Sequence, residues 1–152
     1  MRLVIDACLP PWLADVFAAV IGPACIFDHV ARLYGHGSKD ADWIARLTEE
    51  GGGVFLTYDR HMRRRPLEVQ ALIASHCVGI VLPAQWQEDE DHALAARLLW
   101  DWPHLRAAAD LTPPQMLELP WAAKPRLPGR WRGWDKIASS VTLQGQAGKP
   151  RR

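Results

Sequence analysis

Apolar and polar positions along the chain follow two rhythms. Short, unbroken apolar runs recur at Leu3-Val4-Ile5, Val54-Phe55-Leu56 and Val78-Gly79-Ile80-Val81-Leu82. Runs this short, apolar on both faces, predict strands buried inside a parallel sheet. They sit within strands expected at 1–6, 53–59 and 76–82, with a shorter strand at 24–28 and a further one around 115–119. Between them, apolar residues return at helical spacing: Leu13, Val16, Phe17 and Val20; Trp43, Ile44 and Leu47; Val69, Leu72 and Ile73; Leu94, Leu98, Leu99 and Trp102. The punctuation agrees with this reading. Pro10-Pro11 leads into the first helix and Gly22-Pro23 ends it. Ser38 or Asp40 can cap the second, which Gly51-Gly52-Gly53 stops, and Pro66 opens the third. Glu88-Asp89-Glu90-Asp91 places four acids in the first turn of the fourth, where they complement the helix dipole. Residues 29–39 read as loop. Strands alternating with helices predict an α/β chain whose sheet is mainly parallel, with four or five strands.

Beyond Trp121, prolines, glycines and arginines dominate, so the pattern predicts one domain over 1–121 and a basic tail over 122–152 with little regular structure. A chain of 152 residues, 49% apolar, suits one domain with a sizeable core. No stretch approaches the ~20 apolar residues of a membrane span. The N-terminus runs directly into a strand without the features of a signal peptide, so the cytoplasm is the expected compartment and no membrane is involved. Cys8, Cys25 and Cys77 fit neither a disulfide framework nor a zinc site and are expected as buried thiols. The net charge of +1 is unevenly spread. Residues 124–152 hold eight Lys or Arg against one acid, a net +7, which leaves −6 on residues 1–123. A basic tail on an acidic body suits a polyanion or an acidic protein, or serves only to solubilise the chain.

Two of the expected strands end in a carboxylate, Asp6 and Asp59. In open α/β sheets the carboxyl ends of the strands share one edge, and ligands bind there. Asp also caps turns and helices, so either residue alone is ambiguous. The pair, closing two apolar strands in the same way, points to one crevice. Asp40, at the start of a helix after a glycine-containing loop, reaches the same edge. Asp28 and Asp42 are weaker candidates, because Asp42 lies about 200° round the helix from Asp40. Converging carboxylates repel one another, and a hard divalent cation such as Mg²⁺ or Mn²⁺ relieves that cost. Arg60, Arg63, Arg64 and Arg65 follow directly and are suited to hold the phosphates of a nucleic acid, or else form a solvated helix entry. Other chemistry is poorly represented. The glycine run precedes a strand rather than opening a helix, the histidines lack ligand spacing, and no Ser or Cys lies in a nucleophile elbow.

Asp6-Ala7-Cys8-Leu9-Pro10-Pro11, Ser38-Lys39-Asp40-Ala41-Asp42-Trp43-Ile44 and Phe55-Leu56-Thr57-Tyr58-Asp59-Arg60 together resemble the PIN-like family, and most closely its VapC-type toxins of bacterial toxin–antitoxin modules. The resemblance covers residues 1–83. It implies a three-layer α/β/α sandwich and a Mg²⁺- or Mn²⁺-dependent ribonuclease. Asp6, Asp40 and Asp59 are its implied catalytic and metal-binding residues, RNA the substrate, and an antitoxin protein from a neighbouring gene the partner. A homodimer is left open. Two departures stand out. Related sequences often carry Asn where this chain has Cys8, and the further helical Glu of many PIN nucleases has no clear match. A PIN-like module that binds RNA or protein without cutting is therefore the alternative. A phospho-accepting receiver-like switch is less favoured, because receivers gather two acids after their first strand.

Overall fold

Alternation along each strand divides the core into two halves. The computed structural model describes residues 1–120 and 129–139. Five parallel strands form the sheet: β1 (Arg2–Ile5), β2 (Ile26–His29), β3 (Gly53–Thr57), β4 (Cys77–Val81) and β5 (Gln115–Glu118). A two-residue strand, β6 (Gly129–Arg130), adds antiparallel to β5, and the spatial order is β2-β1-β3-β4-β5-β6. The helices are α1 (Trp12–Ile21), α2 (Val30–Tyr34), α3 (Asp40–Glu49), α4 (Pro66–Ile73), α5 (Asp91–Trp100) and α6 (Trp102–Ala107). Leu3, Ile5, Val54, Leu56, Val78, Ile80 and Leu117 face α1, α5 and α6. Val4, Phe55, Val81 and Met116 face α3, α4 and the C-terminal segment. Side chains of period two on strands covered on both faces give an α/β/α sandwich, with the mainly parallel sheet that the alternation of elements predicts and the three layers that the resemblance implies.

Two glycines are required by close approach. Gly79 lies level with Phe55 on one neighbouring strand and Met116 on the other, and a Cβ there would strike both side chains. The space it leaves lets Phe55 meet Trp43 edge-on, with ring centroids 5.2 Å apart and planes at 87°. Gly52, at φ +76°, turns α3 into β3 so tightly that a Cβ would collide with the carbonyl of His76.

The structure corrects several expectations. Residues 29–39 are not all loop. His29 ends β2, and its Nδ1 accepts from the Ala31 amide at 3.1 Å, capping the short α2. Its Nε2 meets the carbonyl of Leu9 at 2.9 Å, so this histidine is a satisfied core residue, 2% exposed. The four acids at 88–91 do not share a first helical turn. Glu88 ends a 3-10 turn, Glu90 is the N-cap and only Asp91 lies inside α5. The fourth helix breaks at Asp101, with α6 beginning at Trp102. Of the cysteines only Cys77 is buried.

The largest correction concerns the segment after 121. Residues 129–139 carry β6 and a helical stretch over 134–139, and Trp131 and Trp134 are buried in the core half that holds Phe55 and Met116. Two tryptophans three apart bring enough apolar area to hold a Gly- and Arg-rich stretch against the sheet. The remainder of the expected tail, 122–128 and 140–152, lies outside the described residues. Among the described residues no helix is long and apolar enough to cross a membrane.

Because Trp131 is part of the core, Trp131→Ala should destabilise the whole domain by about 3–5 kcal/mol, the usual cost of truncating a buried aromatic residue. Urea unfolding of the full chain checks this, and an unchanged midpoint would mean that the segment after 121 is an independent tail.

Candidate metal centre

The strand order fixes where a ligand site can form. The chain passes from β1 outward to β2, then returns to place β3 on the other side of β1. Loops leaving β1 and β3 therefore diverge at the carboxyl edge, and the crevice between them is where open α/β sheets hold ligands. Asp6 immediately follows β1, and Asp59 lies two residues beyond β3.

Thr57, fully buried at the end of β3, links the two loops. Its Oγ1 donates to Asp6 Oδ2 at 2.6 Å and accepts from the Asp59 amide at 2.9 Å. Asp6 is itself buried, 4% exposed, and its Oδ1 accepts from the Ala7 amide at 2.6 Å. Cys8 Sγ donates to Asp6 Oδ2 at 3.1 Å. The Cys8 residue lies at the surface, but its sulfur turns inward to Asp6, Thr57 and the Tyr58 amide. Burial, and then the charge of Asp6, push the thiol up to about 12. Cys8 therefore stays protonated as a hydrogen-bond donor to Asp6 and is a poor ligand for a hard cation.

Asp59 divides its carboxylate between two tasks. Oδ1 accepts from the His61 amide at 2.7 Å, closing a tight turn, while Oδ2 faces the crevice. Asp40 does the same from the first turn of α3. The N-cap there is Lys39, so Asp40 is not spent on capping. Its Oδ1 accepts from Trp43 Nε1 at 3.1 Å, and Oδ2 faces the crevice. The edge-on packing of Trp43 against Phe55 thus fixes the carboxylate of Asp40 as well as the helix.

The third crevice acid is Glu68, in the first turn of α4 and 9% exposed. One oxygen from each of Asp40, Asp59 and Glu68 lies within 4.8 Å of the other two, a constellation that could hold a metal ion among the described residues. Sequence reasoning found no match for a helical glutamate, and Glu68 is the residue it missed. The signal was present: Glu68 stands one helical turn before Leu72 and beside Val69, on the face of α4 that packs inward. An acid on an apolar face needs a partner or a function. Asp6 stands outside that trio but acts on it electrically. Asp40 is pushed up to about 6, first by burial and then by the charges of Asp6, Glu68 and Asp59, against the opposing Trp43 hydrogen bond. The other candidates lie elsewhere. Asp42 is exposed, and Asp28 pairs with Arg2 at 3.1 Å.

The four arginines occupy different settings. Arg60 braces the strand ends, pairing with Glu118 and donating to the Leu82 carbonyl at 3.3 Å. Arg63 donates to the Arg132 carbonyl at 3.4 Å and lies over the Trp131 ring, 5.4 Å from its centroid. Arg64 is exposed. Arg65 turns into the crevice, where Nη1 lies 2.8 Å from Glu68 Oε1, 3.0 Å from Asp59 Oδ2 and 3.4 Å from Asp40 Oδ2. A cationic nitrogen already sits among the three carboxylates, and an all-oxygen donor set of this charge suits Mg²⁺ or Mn²⁺.

A family model described as "PIN like domain" matches residues 1–84, which include β1, β2, β3 and β4, with Asp6, Asp40, Asp59 and Glu68. No curated protein and no solved structure matches the chain.

The raised Asp40 carboxyl makes a signed prediction. Its folded value of about 6 lies above the ordinary 3.8, so ionising it costs more in the folded chain than in the unfolded one. That penalty is complete above pH 6 and disappears below pH 4. Metal-free Asp40→Asn should therefore be more stable than wild type at pH 7.5, by about 1–3 kcal/mol. The difference should shrink as the pH falls from 6 towards 4. Urea unfolding in chelator at both ends of that range checks it, and a variant less stable than wild type at pH 7.5 would contradict it.

Proposed function

Because the chain belongs to the PIN-like domain family, a nuclease-type fold, we propose that it is a metal-dependent endoribonuclease and the toxin of a toxin–antitoxin pair. The observation that carries this reading is the convergence of Asp40, Asp59 and Glu68 on one cationic position at the switch point of the sheet. These three residues would hold Mg²⁺ or Mn²⁺, with Asp6 adding charge from the end of β1. The bound cation would supply activation of water and stabilisation of charge in an in-line phosphoryl transition state. The chain's own residues do the rest. Thr57 and Cys8 orient Asp6, Trp43 orients Asp40, and the His61 amide fixes Asp59. Arg63 and Arg64, in the turn that leads to Arg65, would hold RNA phosphates flanking the bond to be cut. Arg60 supports the edge through Glu118.

The apolar groove between α1 and α5, lined by Trp12, Val16, Ala95 and Leu99, supports a protein partner, which on this reading is the antitoxin. The setting is cytoplasmic. A second reading, RNA binding without cleavage, is favoured by one observation. Arg65 already neutralises part of the acidic charge that a metal ion would need.

Cleavage separates the two. Asp59→Asn keeps the shape of the side chain while removing one negative charge and one strong ligand from the crevice. Single-turnover cleavage of a mixed RNA substrate should be rapid for wild type with Mg²⁺ or Mn²⁺ and absent in chelator. Asp59→Asn should lower the rate by at least about 100-fold, since the metal supplies several kcal/mol of transition-state stabilisation. Cleavage by wild type in chelator would exclude the metal mechanism. No cleavage with either ion would favour the binding module.

A further inference from the structure

Arg65 stands in an unusual place for a residue of an RNA-binding rim. A single nitrogen, Nη1, reaches Glu68 through both oxygens at 2.8 and 3.0 Å, Asp59 at 3.0 Å and Asp40 at 3.4 Å. These are the three acids whose oxygens come together for a cation. We infer that Arg65 is the internal counter-ion of the crevice, and that a divalent metal ion enters only by displacing its guanidinium. The inference rests on the metal reading above and adds the residue that sets how tightly the crevice takes a metal.

Three physical facts carry it. The first is geometric. A metal ion would bind at about 2.0–2.6 Å from oxygens of these same carboxylates. The oxygens that would hold it, Asp40 Oδ2, Asp59 Oδ2 and Glu68, all point at Nη1. The opposite oxygens of Asp40 and Asp59 are already taken by Trp43 and the His61 amide. The two cations therefore need the same lone pairs in the same space, and their like charges repel.

The second is electrostatic. Guanidinium is always charged at ordinary pH. It cannot leave the competition by losing a proton. Three carboxylates against one guanidinium still leave excess negative charge, so a doubly charged ion of sufficient concentration prevails.

The third is mechanical. The Arg65 side chain is 47% exposed, and its backbone is followed at once by Pro66, the first residue of α4. Proline fixes the backbone there. Exchange therefore needs only rotation of a solvated side chain. Met62, buried three residues earlier, keeps the turn in place while that happens.

The test uses the full-length chain and Mn²⁺ itself, titrated calorimetrically at constant pH and ionic strength. Arg65→Gln should lower the dissociation constant for Mn²⁺ at least tenfold. Arg64→Gln, which removes the same charge one position away but outside the crevice, should change it less than twofold. Equal affinities for wild type and Arg65→Gln would overturn the displacement while leaving the metal reading intact. Weaker binding by Arg65→Gln would overturn it too, by making Arg65 a support rather than a competitor. An absence of Mn²⁺ binding in every variant would overturn both, with the fault in the metal reading. If Arg65→Gln does not fold, wild type alone decides. The side-chain ¹⁵N–¹H signals of Arg65, slowed in exchange while it is bound to three acids, should shift and exchange faster on saturation with diamagnetic Mg²⁺. Signals that stay unchanged when Mg²⁺ saturates the protein would overturn the inference.

Discussion

Repulsion among carboxylates is the constraint around which this chain is arranged. Asp6, Asp40, Asp59 and Glu68 are brought to one edge of the sheet from β1, α3, the β3 loop and α4. Left alone, such a group would push its elements apart, since like charges a few ångströms apart in partly buried surroundings cost several kcal/mol at an effective dielectric of about 20. The structure answers each charge separately. Asp6 is surrounded by donors from Ala7, Cys8 and Thr57. Asp40 and Asp59 each give one oxygen to an N–H group, and Arg65 collects the oxygens that remain. At Asp40, burial and then the repulsion that survives push the carboxyl up to about 6.

The core exists in part to hold that arrangement. The side-chain gap at Gly79 admits Phe55, Phe55 receives the edge of Trp43, and the indole N–H of Trp43 aims Asp40. On the other side, buried Met62 anchors the turn that returns Arg65 and Glu68 towards Asp59. An uncharged residue inside the sheet can therefore alter the crevice, because packed interiors transmit displacement rather than absorb it.

Much of this was legible in the sequence. The apolar runs at 3–5 and 54–56 locate the two central strands, and the acids that follow them reach the expected edge because parallel strands share one direction. Asp40 was legible from its place at a helix start, and Asp42 two positions on does point to solvent. Other features depend on contacts between distant residues. Glu68 is one helical residue among many until α4 is packed, when its apolar face is seen to turn an acid towards Asp40 and Asp59. Arg65 looks like its three neighbouring arginines, yet only its side chain lies across the acids. Trp131 and Trp134 stand in a Gly- and Arg-rich stretch whose composition suggests disorder, and their burial depends on space left beside Met116. His29 likewise reads as a loop residue until Leu9 supplies a carbonyl for its ring.

The central claim is spatial: three carboxylates and one guanidinium define a place for a divalent cation at the switch point of the sheet. Crystals of the full chain grown without metal and then soaked in Mn²⁺ test it directly through the anomalous signal of that ion. The expected map shows a peak about 2.0–2.6 Å from oxygens of Asp40, Asp59 and Glu68, with the guanidinium of Arg65 moved away from it. A map with the Mn²⁺ peak elsewhere, or with no peak while Arg65 remains bound to all three acids at saturating Mn²⁺, would contradict it.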